Sequence, residues 1–521
     1  MGQARTGAME GAHGMSKIVV IGAGIGGMSA AARLAKAGHV VSVYEASDRS
    51  GGKCRTEWIG KYAFDTGPSL LTLPAVFKDL FLKTGGHLQH QVDLTPVNPA
   101  FDYRFHDGKQ VTFENLSHHQ TLQNIEAAFG PTARDEWRKL MKRAAKMWDT
   151  SREAFIESEL TSIASLFKRP SFIGDLFTIA PWKSLRQLTS EITKDSHLRY
   201  IIDRYATYTG SDPRLAPAVL LSIAFVEESF GAWHISGGVG KLSEALEERC
   251  RKVGVTFHFN SEVSEILQDG KKATGIQLRS GEKIVADSVI SNSDAANTYN
   301  YLLPTNLRAT RKARKSLEKS QSSLAGFSLL LGLRPDESAQ RLNHHTVLFP
   351  ENYEDEFDAI FTRNEPVPNP TIYICAPDDK AMVKTEGHES WFVLVNAPRH
   401  SVTGDGFDWS NEKFSQSYAA KIIDAIEARG ISVRSRLEVM EIRTPLDLQN
   451  AVLAPGGSIY GSSSNGARSA FLRAKNRSPL KNLYCVGGSA HPGGGLPLVG
   501  ISGEIVANAI VGKSPAAPGA H

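Results

Sequence analysis

Gly22, Gly24 and Gly27 stand at the spacing G-x-G-x-x-G, Gly26 lies between the last two, and Glu45 follows at roughly the 20-residue interval at which a carboxylate meets a ribose. That set of residue types binds a dinucleotide. The first glycine permits a tight turn, Gly24 lets a pyrophosphate reach the backbone, and Gly27 lets the next helix pack closely on its strand. Glu45 accepts hydrogen bonds from a ribose and favours a free 2′-hydroxyl over a 2′-phosphate. A second turn at 48–55 offers backbone donors from Gly51 and Gly52 and charge from Arg49, Lys53 and Arg55. A nicotinamide domain needs nothing basic and glycine-rich at this point, whereas a long flavin nucleotide gains from it, so the pattern favours FAD. Gly67 and Pro68 form another tight turn, expected to pass near the flavin.

The elements that must position these residues follow from their patterning. Lys17 to Ile21 is an apolar, β-branched run that stops at Gly22, which predicts a buried parallel strand. Residues 26–37 are crowded with alanine and end at Gly38, predicting a helix whose free N-terminal N–H groups receive a diphosphate. Residues 39–44 make a second strand with Glu45 at its end. Residues 237–240 open a further helix, and 255–259 predict a strand that rejoins the first sheet; Val263, in the strand region that follows, is assigned to the cofactor contacts. A buried-looking strand at 482–486 then ends in Gly487, Gly488 and Ser489, and 491–499 leads into a last helix. Such a strand, glycine loop and helix present N–H groups to an anion or a flavin edge, so Gly487, Gly488, Ser489, Leu498 and Val499 join the expected cofactor-binding set.

A chain of 521 residues exceeds one ordinary core, so two or three domains are expected. The fold class is α/β. A Rossmann-like FAD-binding domain is expected from 15–85, 236–294 and 443–512, and a discontinuous α+β substrate domain from 86–235 and 295–442. A net charge of +4 over this length excludes a polybasic, nucleic-acid-binding protein. Four scattered cysteines without C-x-x-C spacing argue against a metal cluster, a redox dithiol or a disulfide framework, and no metal is expected. No apolar run reaches the roughly 18–20 residues of a membrane span. Residues 1–14 lack the apolar centre of a secretory signal and read as a disordered extension, and 513–521 as a flexible tail. Residues 166–183 interleave bulky apolar and basic side chains, a pattern shared by membrane-docking segments and by ordinary half-buried helix pairs.

The fingerprint with Glu45, the 48–55 turn, Asp65-Thr66-Gly67-Pro68, Gly237-Gly238, Ser291-Asn292-Ser293-Asp294, and the 482–493 segment ending His491-Pro492-Gly493 resemble the bacterial-type carotenoid desaturases along almost the whole chain. These are the phytoene desaturase family, flavoproteins with an amine-oxidase-like fold. Arg204-Tyr205-Ala206-Thr207-Tyr208, with residues 493–498, is similar to the branch that includes hydroxycarotenoid 3,4-dehydrogenases. The resemblance implies non-covalent FAD, a long hydrophobic polyene substrate, and desaturation by hydride transfer to flavin with loss of a proton from the adjacent carbon. Where many such flavoproteins carry an aspartate after the C-terminal glycines, Ser489 stands here.

Polyene conjugation stabilises cationic character, so a strong protein base is not required. If one takes part, the resemblance implies Glu227, just before the aromatic-Gly-x-Trp run at 230–233, or His491 beside the flavin. With one full dinucleotide fingerprint and none left for NAD(P), oxygen or a membrane quinone is expected as electron acceptor. Because such a hydrocarbon lives in the bilayer, a cytoplasmic protein bound peripherally to the inner face of the cell membrane is expected. A 1-hydroxycarotenoid 3,4-dehydrogenase or a carotenoid isomerase of the same fold, a flavin- and polyene-binding protein without turnover, and an amine oxidase are the rival readings.

Overall fold

Five parallel strands make the first sheet of the computed structural model, in the order Leu483–Cys485, Ser288–Ser291, Lys17–Ile21, Val40–Tyr44, Thr256–His258. The structure describes residues 14–159, 172–336, 341–466, 469 and 473–512. Residues 1–13 of the extension expected at 1–14, the tail at 513–521 and residues 166–171 of the docking segment lie outside the described residues. Lys17–Ile21 occupies the centre because it can be buried on both faces: Ile18, Val19 and Val20 are wholly inaccessible, and Val20 is flanked in register by Val43 and Ile290. The strand expected at 255–259 does rejoin this sheet, pairing Val43 with Phe257.

Helices Ile25–Lys36, Gly240–Lys252 and Leu496–Val511 pack beside this sheet. Small residues set the contact between the first and the last. A Cβ at Gly503 would lie 2.7 Å from the Gly26 carbonyl and 2.7 Å from Ser29 Cβ, so a side chain there would push the two helices apart.

A second, seven-stranded sheet runs Leu437–Arg443, Ala325–Leu333, Glu389–Ala397, Ile372–Cys375, His345–Leu348, Phe101–Arg104, Gln110–Phe113. Its pairs are antiparallel except His345–Leu348 with Phe101–Arg104. Phe101–Arg104 and Gln110–Phe113 form a hairpin at one edge of this sheet. Helices Pro131–Ser151, Leu185–Ile192, Ser196–Thr207 and Ser222–Phe230 share a core with that edge, around Tyr103, Trp137 and Tyr205. No helix among the described residues is long and apolar enough to cross a membrane.

Candidate active site

The C-terminal ends of the parallel strands deliver the glycine turns into one crevice, where ligands of open α/β sheets bind. Gly22 has φ +90°, a conformation that favours glycine, and its N–H donates to the Tyr44 carbonyl at 2.8 Å. The Gly51 N–H donates to the Ala23 carbonyl at 2.8 Å, so the second turn lies directly on the first. Glu45 is braced at their junction: one carboxylate oxygen accepts from the Ala23 N–H at 2.7 Å, the other from the N–H and hydroxyl of Ser47 at 3.0 and 2.8 Å. From the far end of the chain Gly487 reaches the same place, and a Cβ at Gly26 would lie 3.0 Å from its nitrogen. Val263 is buried with Ile21 and Tyr44, near the strand end that presents Glu45.

Two cations stand beside these turns. Lys53 Nζ donates to the carbonyls of Ser458 and Ile459 at 3.1 and 2.7 Å. Arg473 donates to the carbonyls of Tyr460, Gly488 and Ser462 at 2.9, 2.7 and 2.7 Å. Neither has a carboxylate at ion-pair distance among the described residues. Burial pulls both pKa values down, Arg473 to about 10, while the charge of Asp294 opposes it. Ser489 Oγ accepts from the Ala295 N–H at 2.8 Å, and a Cβ at Gly461 would meet both Ser489 and Asp294, so the carboxylate missing at 489 has a near neighbour in Asp294. Gly67 lies against the Lys53 carbonyl with no room for a Cβ. Val499 faces Gly488, and Leu498 faces Gly493. Arg49 instead pairs with Glu57 at 3.2 Å, and Arg55 is held by Ser47 Oγ at 2.6 Å and the Ser50 carbonyl at 3.2 Å.

Glu227 and His491 occupy separate environments. Both Glu227 oxygens are engaged, by the hydroxyl of Tyr205 at 2.7 Å and that of Tyr208 at 3.0 Å. Arg204 donates to Tyr208 Oη at 2.8 Å, and its guanidinium lies 4.8 Å from the Phe101 ring centre and 4.9 Å from that of Tyr208. Burial raises the pKa of Glu227, against the lowering pull of Arg204 and the two hydroxyls. His491 instead donates from Nε2 to the Ser158 carbonyl at 3.0 Å, and its own carbonyl accepts from Asn476 and Ser502.

Residues 25–325 match the model of the flavin-containing amine oxidoreductases. The chain belongs to that family. It is 32% identical over 504 residues to a 1-hydroxycarotenoid 3,4-desaturase of Flavobacterium sp. (strain P99-3), covering 95% of this chain and 99% of the relative. It is 31% identical to a zeta-carotene-forming phytoene desaturase of Myxococcus xanthus, with 94% of this chain and 93% of the relative covered. An oxidoreductase structure from Methanosarcina mazei superposes with a TM-score of 0.65 at 19% identity, over 94% of this chain and 99% of that one, which shows a shared fold.

The cofactor of this flavin-containing amine oxidoreductase is FAD, and its residues fit that group. Additional Cβ atoms at Gly24, Gly26 and Gly27 would collide with Asn292, Gly487 or the Gly22 carbonyl, so only glycine leaves the cradle open for a diphosphate. Lys53, Arg473 and the Glu45 carboxylate are of the chemical kinds that would meet a phosphate and a ribose when FAD is bound. The positions of two side chains at this cradle escape a reading of the sequence. Asn292 accepts from the Gly27 N–H at 3.0 Å and places its amide over Gly24, Gly26 and Gly487, and Arg473 lies outside every glycine motif.

His491 makes acid sensitivity a readout of this loop. Burial, with a smaller push from Arg473, holds its pKa down at about 4 against the pull of the Ser158 carbonyl. An unfolded histidine titrates near 6.5, so between about pH 6.5 and 4 the unfolded chain binds the extra proton and stability falls as pH falls. The contribution is on the order of 3 kcal/mol once pH has dropped below the folded value. Denaturant unfolding at pH 7 and pH 4.5 is expected to show a smaller acid loss in His491→Gln than in the wild type. Equal losses would contradict it.

Proposed function

We propose that this flavoprotein desaturates a linear carotenoid such as phytoene in carotenoid biosynthesis, removing a hydride and a proton from adjacent carbons so that a new double bond extends the polyene. The relationship at 31–32% identity over nearly the full length, to two enzymes named as carotenoid desaturases, carries this reading. Bound FAD supplies the hydride acceptor. The chain's own contribution is positional. Segments 15–85, 236–294 and 443–512 hold the cofactor through Gly22, Gly24, Gly26, Gly27, Glu45, Gly51, Gly52, Lys53, Gly487 and Gly488. Segments 86–235 and 295–442 supply the wall on which an apolar chain lies. Glu227 and His491 act by shaping the site: both Glu227 oxygens are engaged by Tyr205 and Tyr208, and His491 Nε2 by the Ser158 carbonyl. Electrons leave to oxygen or a membrane quinone.

The 1-hydroxycarotenoid 3,4-desaturase relative favours a second substrate reading, a carotenoid already hydroxylated at one end. Pigment analysis after expression in one strain that accumulates phytoene, and in another that accumulates hydroxylated carotenoids, separates the two. New double bonds in neither strain would reject both.

A hydrocarbon substrate places the protein on the inner face of the membrane. The described part of the expected docking segment supports this, since Phe177 is 67% and Trp182 56% exposed and their rings meet at 5.5 Å. Replacing both by serine is expected to reduce liposome flotation at least ~10-fold, from the apolar area withdrawn from the bilayer. Unchanged flotation would remove this surface from membrane docking.

A further inference from the structure

We infer that His344, His345 and Cys375 form a binding site for a borderline-soft divalent cation, of which zinc is the representative. One ring nitrogen from each histidine and Cys375 Sγ lie within 4.8 Å of one another. The sequence separates the thiol from the imidazoles by some thirty residues, and strand register closes the gap: His345 and Cys375 are direct partners across an antiparallel pair. His345 is wholly buried and Cys375 is 3% exposed.

A second observation concerns the nitrogens themselves. Nε2 of His345 and Nε2 of His344 are both buried without a hydrogen-bond partner, which is costly for groups able to donate or accept. For His345 the opposite nitrogen is committed, since Nδ1 lies 2.7 Å from Tyr373 Oη, which in turn lies 2.8 Å from Ser69 Oγ. If Nδ1 carries the proton and donates to Tyr373, which donates to Ser69, the Nε2 lone pair is left for a metal. Such an outer hydrogen bond sets tautomer and ring orientation in histidine metal sites.

Two imidazoles and one thiolate are the donor set of a tetrahedral zinc site with its fourth position open, and Ca²⁺ or Mg²⁺, which take oxygen ligands, do not fit. Closing the three atoms onto one ion asks for side-chain movements on the order of 1 Å. Burial has already raised the thiol pKa and lowered those of both imidazoles, so the histidines are neutral and binding displaces one proton, from Cys375 to solvent. The resulting charge meets groups of both signs: Asp65 acts on Cys375 and Asp379, paired with His234 at 2.8 Å, acts on His344, while the Arg204 guanidinium acts on His345 from the other side. The cation would pin two strands of the seven-stranded sheet to each other beside Ser69, which adjoins the Gly67-Pro68 turn.

The test uses the flavin-loaded protein, purified after growth with Zn²⁺ and freed of loose metal by gel filtration. Elemental analysis is expected to find about one zinc per chain. Exchange for Co²⁺ is expected to give the strong ligand-field bands of a tetrahedral site, at wavelengths beyond the flavin's own absorption. His345→Ala and Cys375→Ser should weaken Co²⁺ binding at least ~100-fold, more than loss of an outer-sphere partner does, while Cys250→Ser, a buried thiol of the parallel-sheet half, leaves it unchanged. Should both site variants lose flavin through misfolding, the wild-type stoichiometry and cobalt spectrum decide by themselves. Zinc well below one per chain after incubation with excess Zn²⁺, or cobalt bands that persist in folded His345→Ala and Cys375→Ser, overturns the inference.

Discussion

Gly26→Val is expected to yield a colourless protein, with FAD bound at least ~100-fold more weakly, about 2.7 kcal/mol. The first added carbon alone would lie 3.0 Å from the Gly487 nitrogen, 3.1 Å from its Cα and 2.9 Å from Asn292 Oδ1. Two of those neighbours are backbone atoms of a turn that is itself in a left-handed conformation, with φ +100°. That turn cannot retreat, because the helix that follows it is seated on Gly26 through Gly503. A valine therefore separates the two loops that form the cofactor cradle. Flavin absorbance per mole of purified protein, followed by fluorescence titration of FAD, measures the effect. Gly174→Ala is the matched control, since an added Cβ there meets nothing within 4 Å and the protein should stay yellow.

Arg204→Leu is expected to cost roughly 3–5 kcal/mol of folding stability, the usual result of stripping one partner from a buried charged network. Arg204 is 7% and Glu227 5% exposed, and the hydroxyl of Tyr208 relays between them: it accepts from the guanidinium and donates to the carboxylate. Without the cation the carboxylate remains buried with two phenols only, and must take up a proton or draw in water. Adding Glu227→Gln to Arg204→Leu should recover more than 1 kcal/mol of that loss, because the two residues belong to one network. Glu227→Gln alone should slow anaerobic flavin reduction less than ~10-fold, whereas removing a true general base costs ~10²–10⁴-fold. Denaturant unfolding and stopped-flow reduction provide the two readouts, and a hundred-fold slowing in Glu227→Gln would return that residue to the chemistry.

What could be read from the sequence divides along physical lines. The Gly22 to Gly27 turn, its strand, its helix and Glu45 are local, and local backbone requirements write themselves into residue type and spacing, so they were legible. The return of Gly487 to the same crevice was legible because a strand, glycine loop and helix can serve only a parallel sheet already begun. Arg473 was not, since an arginine in a loop looks the same whether it meets solvent or caps a glycine turn, and Asn292, though part of the Ser291 to Asp294 motif, carried no sign of its role. A basic turn likewise does not say which of its cations faces inward: Lys53 turns toward the 458–459 carbonyls, while Arg49 pairs with Glu57. The Arg204 network and the His344, His345, Cys375 cluster depend on register and on helix packing across the substrate half. Apart from the one-turn Arg204–Tyr208 bond, those contacts join elements distant in sequence, and periodicity carries no record of them.

The most direct test of the account is anaerobic mixing of the purified flavoprotein with a linear C40 polyene in liposomes. Desaturation predicts that the oxidised-flavin absorbance disappears and that a product with one more double bond and a longer conjugated run appears in equal amount. A flavin that stays oxidised with phytoene and with its hydroxylated relatives, although the polyene is bound, would contradict it and leave a carrier in place of an enzyme.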